Sequence, residues 1–430
     1  MDMKHYKYLL VLVAIVLASC SRFDVVDRVF DNSAYLNVSA TDQTQLATFN
    51  NRINETSVSL AVQLAYPADM DIAATVSVDA SLVDEYNHRH STAYEMLPSQ
   101  YFDFPDKTVT VTAGRVSSEK VEIRFKGLAG EGENNEGAME LDKTWILPVK
   151  VSSGDIGIMS SAGVAYYLVK RTSAITMAAQ LTDNWIKFPK MNEVGGSVAG
   201  AYNGLTAVTY EAFIYIDKFD TENSFGDCNI STVMGVEQYL LLRIGDTNFE
   251  RRQLQFDGSG NGSQFGKLPS KGDPSKNLSA GQWYHVACTY DQATRTARIY
   301  LNGELTDESK DVGVTGSSEE NRINLAMRGM EGATNSEYEF FIGKSYNDWR
   351  PLQGKIAEAR VWKCARTQEE IMMNMQRIEN PEQEPDLIGY WKFDEGEGNN
   401  IKDYSSVGND GVAEKDIVWP QGIEIPDFNK

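Results

Sequence analysis

The sequence predicts an all-β protein: an antiparallel β-sandwich in the first half, a second strand-rich domain behind it, and one short helix near the C-terminus. Two observations carry that expectation. Short runs of β-branched and aromatic residues recur between clusters of Gly, Asn, Asp and Ser along nearly the whole chain, which is the punctuation of strands and turns. Several runs also alternate with period two. Val121, Ile123 and Phe125 are apolar, while Glu122 and Arg124 between them are charged, so one face of that strand suits a core and the other suits water. At 430 residues the chain has room for two or three such domains.

The N-terminus departs from the pattern. Lys4 and Lys7 flank the start of an unbroken apolar run at 8–17, YLLVLVAIVL. That run is too short for a stable membrane span, which takes roughly 20 apolar residues, and it has the proportions of an export signal. It ends in Leu17-Ala18-Ser19-Cys20, which resembles the bacterial lipobox. The resemblance implies cleavage before Cys20 and diacylglycerol on its thiol. Ser21, not an aspartate, follows, so the same resemblance places the lipoprotein on the outer membrane, without telling which face it occupies. No later stretch is long and apolar enough to span a bilayer, and lipid on Cys20 is the expected attachment of a soluble body. The expected organisation is a signal peptide at 1–19, a lipidated tether at 20–34, a first domain at 35–172 and a second at 173–430.

In the first domain, strands are expected at 58–62, 75–78, 108–111, 121–125, 145–149 and 165–169. Residues 84–90 suit a short helical turn, and GEGENNEG at 130–137 is a polar, glycine-rich loop. The last strand runs out near Thr172. In the second domain, Tyr284, Val286, Cys288 and Tyr290 share one strand face, with His285, Ala287 and Thr289 on the other. The following strand carries Ala297, Ile299 and Leu301 and ends in Asn302-Gly303, a strong hairpin signal because both positions tolerate positive φ. Strands are expected at 340–343 and 354–362. Thr367 then caps a helix, Glu370 completes a capping box, and Ile371, Met375 and Ile378 form its apolar stripe. Beyond Pro381 and Pro385 a last strand is expected at 387–393.

Composition narrows the partners. The formal charge is −21, and removing residues 1–19 takes away Lys4, Lys7 and Asp2 and leaves −22. A body this acidic repels polyphosphates and anionic surfaces, so nucleic acid is not an expected partner. After Cys20, only Cys228, Cys288 and Cys364 remain, enough for one internal disulfide at most. Cys288 falls in an apolar strand and reads as a buried free thiol.

The stretches 209–215 (TYEAFIY), 281–291 (GQWYHVACTYD) leading to 299–303 (IYLNG), 354–362 (GKIAEARVW) before 366–371 (RTQEEI), and 389–396 (GYWKFDEG) before 403–411 (DYSSVGNDG) together resemble the concanavalin A-like, laminin-G-like jelly-roll family. The last motif often opens such domains and here closes one. The segments VDEYN at 83–87, MLP at 96–98, VTAG at 111–114 and ILPV at 146–149 resemble an N-terminal domain of unknown function in Bacteroidetes glycan-utilisation lipoproteins. Relatives that combine both domains sit beside glycan importers and glycosidases. These resemblances imply a non-catalytic surface lipoprotein that binds glycan. The alternatives are a glycoside hydrolase with loop-borne carboxylates and an adhesion or scaffold protein of the same assembly.

No strand carries the clustered carboxylates with which jelly-roll glycosidases supply nucleophile and acid. The acidic stretches at 130–137 and 394–398 lie in glycine-rich loops, and no histidine has a nucleophile or metal-ligand spacing around it. Calcium is the cofactor considered. Asp403, Asn409 and Asp410 offer hard oxygens in a loop with glycines, although Asn409-Asp410-Gly411 also suits a tight turn. A sugar site needs an aromatic ring beside acids or amides. Tyr346, Asn347, Asp348 and Trp349 supply that chemistry between two strands, although Trp349 also suits a cap on the sandwich core; Trp185 and Tyr202 are weaker candidates. Trp283, Trp362 and Trp391 are expected in the core. The loop at 257–262, DGSGNG, lacks EF-hand spacing and reads as a connector.

Overall fold

A computed structural model describes residues 31–38, 43–50, 53–130, 136–173, 175–193, 195–219, 230–260, 263–316, 318–326, 338–345, 350–426 and 428. The signal segment, Cys20, Cys228, Tyr346, Asn347, Asp348, Trp349 and most of the 130–137 loop lie outside them. Strands dominate. Among the described residues no helix is long and apolar enough to cross a membrane.

The first domain packs a six-stranded sheet against two three-stranded ones. Val164–Thr172 lies in the six-stranded sheet, antiparallel to Thr144–Ser152 and parallel to Thr44–Asn50. The alternation of Val121–Phe125 is realised: Val121, Ile123 and Phe125 are buried while Glu122 and Arg124 are exposed. The run expected at 58–62 divides. Thr56–Leu60 pairs in one sheet and Val62–Leu64 in another. Between them the Ala61 amide donates to the Asn37 side chain and its carbonyl accepts from the Asn37 amide, so a single residue carries the chain from sheet to sheet. The expected helical turn is the helix Val83–His90.

The second domain is a sandwich of a seven-stranded and an eight-stranded sheet. Ala207–Ile216 is central in the first, between Gln282–Asp291 and Gly354–Trp362. Gly354 is required there, because a Cβ would lie 1.8 Å from the Tyr215 carbonyl oxygen. Tyr210, Ala212, Ile214, Val286, Cys288 and Tyr290 point into the sandwich and meet Leu240, Leu242, Ile244, Phe256 and Ile342 from the other sheet. Cys288 is a buried free thiol, as the strand pattern predicts. Thr296–Leu301 and Glu304–Ser309 form the predicted hairpin, with Asn302 at φ 52° and Gly303 at φ 82°, the mirror-image turn that matches strand twist. The tail completes both sheets. Leu387–Trp391 joins the edge of Gly354–Trp362, and Gly411–Ala413 lies between Ile186–Lys187 and Asn400–Ile401.

The capping box at Thr367 and Glu370 forms as predicted, but the helix is shorter than its apolar stripe. It spans Gln368–Met373, leaving Met375 and Ile378 buried beyond its end. The reason is Arg360. Its guanidinium donates to the carbonyls of Asn374, Met375 and Gln376 at 2.6, 3.1 and 3.2 Å, so these oxygens are met from the sheet below and not by a further helical turn.

Candidate functional site

In the eight-stranded sheet, alternate residues of Leu240–Ile244 and Leu254–Gly258 enter the core, and Arg243, Gln255 and Asp257 lie on the other face. In Leu240–Ile244, Leu240, Leu242 and Ile244 enter the core, which leaves Leu241 and Arg243 on the opposite face. Register aligns Thr232, Arg243 and Gln255 side by side, and Leu241, Asp257 and Lys267 in the next row. Arg243 is only 2% exposed. Its guanidinium donates to Gln255 Oε1 at 3.1 and 2.7 Å and pairs with Asp246 at 2.8 Å and Asp257 at 3.2 Å. Asp246 also takes the Lys267 ammonium. A cation this buried needs such partners.

Thr232 ties this face to the sugar-site segment predicted at 346–349. Its hydroxyl donates to Ser345 Oγ at 2.8 Å and its amide donates to the Arg350 carbonyl at 3.1 Å. Ser345 and Arg350, the residues on either side of that segment, thus both bond to one threonine, whose strand neighbour is Arg243. Arg350 pairs in addition with Glu237 at 2.9 Å. The weaker sugar candidates are corrected. Tyr202 is fully buried and donates to the Ile388 carbonyl at 2.5 Å, and Trp185 is 5% exposed beneath the Lys344 ammonium, 4.1 Å from its ring. Trp362 and Trp391 are core residues and Trp283 is half-buried at the edge of a satellite cluster. Of the 257–262 loop, Asp257 and Gly258 belong to the strand Leu254–Gly258.

The structure does bring Asp403, Asn409 and Asp410 together, around hydrogen bonds. Asp403 Oδ1 accepts the amides of Tyr390 and Ser405 at 2.9 and 2.8 Å, and Oδ2 accepts the Ser405 hydroxyl and the Asn409 amide at 2.8 and 2.7 Å. Burial raises its carboxyl above the ordinary range, against the pull of those donors. Asp410 Oδ2 pairs with Lys190 at 2.9 Å, and Oδ1 accepts the Asp403 amide at 3.1 Å. The Asn409 carbonyl accepts Trp391 Nε1 at 2.8 Å. This donor set does not fit calcium as it stands, because a cation would have to displace Lys190 and the amides that close the turn. Among the described residues no three His, Cys, Asp or Glu side chains gather as a metal-holding group.

A second charged cluster was not visible as a motif. On the outward face of the seven-stranded sheet, Glu211 is fully buried and accepts Arg366 at 2.9 Å, with Arg360 at 3.5 Å and His285 at 3.6 Å. Glu358 accepts Arg377 at 2.7 Å, Arg360 at 3.1 Å and the Tyr390 hydroxyl. Burial acts to raise the Glu211 carboxyl, but Arg366, His285 and Arg360 together hold it down to about 2. A carboxylate so held cannot serve as the protonated acid of a glycosidase. The signal lay in 354–366, where alternation puts Glu358 and Arg360 on one face of the strand with Arg366 soon after.

Comparison with known proteins agrees with the fold. Residues 30–158 match the family model of an N-terminal domain, and residues 182–372 match that of the Concanavalin A-like lectin/glucanases superfamily. No curated protein matches the chain. Among solved structures, a candidate carbohydrate binding protein from Bacteroides ovatus is 27% identical over 92% of this chain and 99% of its own, with a TM-score of 0.47. EndoBT-3987 of Bacteroides thetaiotamicron, solved with a Man5GlcNAc product, is 25% identical over 32% of this chain and 31% of its own, with a TM-score of 0.26. A heptameric SAP-like pentraxin from Limulus polyphemus is 12% identical over 58% of this chain and 96% of its own, with a TM-score of 0.30. Over residues 182–372 the chain thus carries a domain of the concanavalin A-like lectin/glucanase superfamily, preceded by an N-terminal domain of a separate family.

Proposed function

We propose that the protein is a surface lipoprotein that binds carbohydrate without cleaving it, as part of a glycan-utilisation system with an importer and glycosidases as neighbours. Lipid on Cys20 holds it to the outer membrane. Tyr346, Asn347, Asp348 and Trp349 contact the sugar. The observation that carries this reading is the clamp on both ends of that segment at Thr232, within a domain of a superfamily named for lectins and glucanases. Non-catalysis is supported by the two buried carboxylates Glu211 and Glu358, each saturated by arginines.

The test pairs a glycan array with a reducing-end release assay on the lipid-free protein, and repeats both with Trp349→Ala. A stacked indole contributes on the order of 1 kcal/mol or more, so its loss should weaken binding about tenfold or beyond, with unchanged melting. Release of product by the parent protein overturns non-catalysis. Unchanged affinity in the variant removes the site.

A further inference from the structure

The two domains meet along a crevice. From the first domain, the helix Val83–His90 and the residues after it supply Tyr86, His90 and Tyr94; from the second, the helix Gln368–Met373 and its cap supply Glu369, Glu370 and Asn374. The cavity between them is about 310 Å³, within the range of small-ligand sites, which favour domain junctions. One wall is aromatic. Tyr86 and His90 stack with ring centres 4.2 Å apart, and Tyr94 follows at 6.3 Å from Tyr86. The Tyr86 hydroxyl is fixed by Thr44 Oγ1 at 3.1 Å, so the buried ring is a rigid backing for the exposed imidazole. The other wall offers carboxylates and an amide. Glu370 spends one oxygen on the Thr367 amide, and Glu369 is exposed.

Tyr94 also donates to Met373 Sδ at 3.7 Å across the junction, and on the far side of that contact lies a second cavity of about 230 Å³. Tyr94, Met373 and Asn374 border both. The second cavity is lined by Glu95, Asp142, Glu379 and Glu384 against Lys143 and Lys170. Lys143 is already paired with Glu95 at 3.2 Å, and Lys170 is only 1% exposed. The crevice therefore presents aromatic faces on one side and an excess of acceptor carboxylates on the other.

We propose that this interdomain crevice binds an uncharged saccharide unit, its apolar ring face toward His90 and Tyr94 and its hydroxyls toward Glu369, Glu370 and Asn374. The ligand class rests on the glycan-binding reading above; the place is distinct from the 346–349 segment. Carboxylates accept from sugar hydroxyls, and the acidic lining repels uronic or sulfated sugars.

The full chain is incubated with cellohexaose, mannohexaose, maltohexaose and, as the acidic counterpart, hexagalacturonate, and amide hydrogen exchange is mapped. A neutral hexasaccharide should protect 86–94 and 367–374, and hexagalacturonate should not. His90→Ala and Glu369→Gln, both at exposed positions, should each weaken that binding about tenfold with unchanged melting. The proposal is overturned if no neutral probe protects these segments, if hexagalacturonate protects them equally, or if both variants bind as the parent does. Protection confined to the neighbourhood of 345–350 overturns the crevice alone. Protection of the crevice that survives in Trp349→Ala, with none near 345–350, overturns the site proposed at 346–349. Absence of protection anywhere overturns both.

Discussion

Replacing Glu211 by Gln removes the negative charge from the centre of a fully buried cluster while keeping its shape. The carboxyl is held at about 2 against an ordinary 4.5, a depressed folded-state value. Its contribution to stability is therefore complete above about pH 4.5 and is lost as pH falls through about 2. Holding the carboxyl that far down corresponds to about 3 kcal/mol. Removing one partner of a buried ion pair independently suggests about 3–5 kcal/mol, because Arg360 and Arg366 would keep their charges without Glu211. At neutral pH, Glu211→Gln should thus lower unfolding free energy by about 3 kcal/mol, and the melting temperature of a domain this size by about 6–12 °C. The gap should narrow to about 1 kcal/mol near pH 3, where the unfolded chain binds a proton at this carboxyl that the folded protein largely does not. His285, pushed below its ordinary value chiefly by burial, makes both proteins lose stability once pH falls below about 6.5. Urea unfolding at pH 7 and pH 3, followed by tryptophan fluorescence, measures the gap at each. A loss under about 1 kcal/mol at pH 7, or a gap that does not narrow in acid, refutes the assignment of this cluster as a mutually paired network.

The remaining predictions concern the turn, the hairpin and the anchor. Saturating calcium and chelator should give the same melting temperature, whereas Asp403→Ala, which strands the donors of Tyr390, Ser405 and Asn409, should cost at least about 2 kcal/mol; a calcium-dependent rise that vanishes in Asp410→Ala would restore the metal site. Gly303→Ala should cost about 1–2 kcal/mol in denaturant unfolding, because φ is positive there and a Cβ would lie 2.8 Å from Met372 and Met375; an unchanged midpoint contradicts the turn. Cys20→Ala should move the protein from the detergent phase to the aqueous phase on phase separation, and retention in detergent removes the anchor.

What was legible followed from local rules. Period-two alternation identified the Val121–Phe125 and Gln282–Asp291 strands, Asn302-Gly303 fixed a hairpin, and Thr367 with Glu370 fixed a helix start. The misreadings share a physical cause, since each was decided by a tertiary partner that no local pattern announces. The 58–62 run looks continuous, yet Asn37 captures Ala61 and splits it. The stripe Ile371, Met375 and Ile378 reads as one helix, yet Arg360 takes the carbonyls that would extend it. Tyr202 resembles a loop-borne sugar contact, yet its hydroxyl reaches Ile388 inside the core. The Asp403 turn is a different case, because its calcium-like oxygens and its tight-turn spacing were both legible, and the structure shows the amides of Tyr390, Ser405 and Asn409 on the Asp403 carboxylate. The crevice could not be read from either half, because its two walls lie nearly three hundred residues apart, from Tyr86 to Glu369.

One short segment links these features. Four consecutive carbonyls follow the helix Gln368–Met373, and all four are met by cations: Arg360 takes those of Asn374, Met375 and Gln376 from within the second domain, and Lys170 takes that of Arg377 from the first at 2.9 Å. The end of a helix carries unsatisfied carbonyls and partial negative charge, so this is where two buried cations cost least. Lys170 also donates to the Asn374 side chain at 3.3 Å, and burial brings its ammonium down to about 8, which still leaves it mainly charged at neutral pH. The first domain therefore grips the segment that the Glu211 network holds from the other side. The helix bearing Glu369 and Glu370 ends in that double grip, and its position opposite Tyr86 and Tyr94 is set by both domains at once. The helix that forms one wall of the crevice is thus fixed by hydrogen bonds from a buried cation of each domain, which is the rigidity a preformed binding site requires.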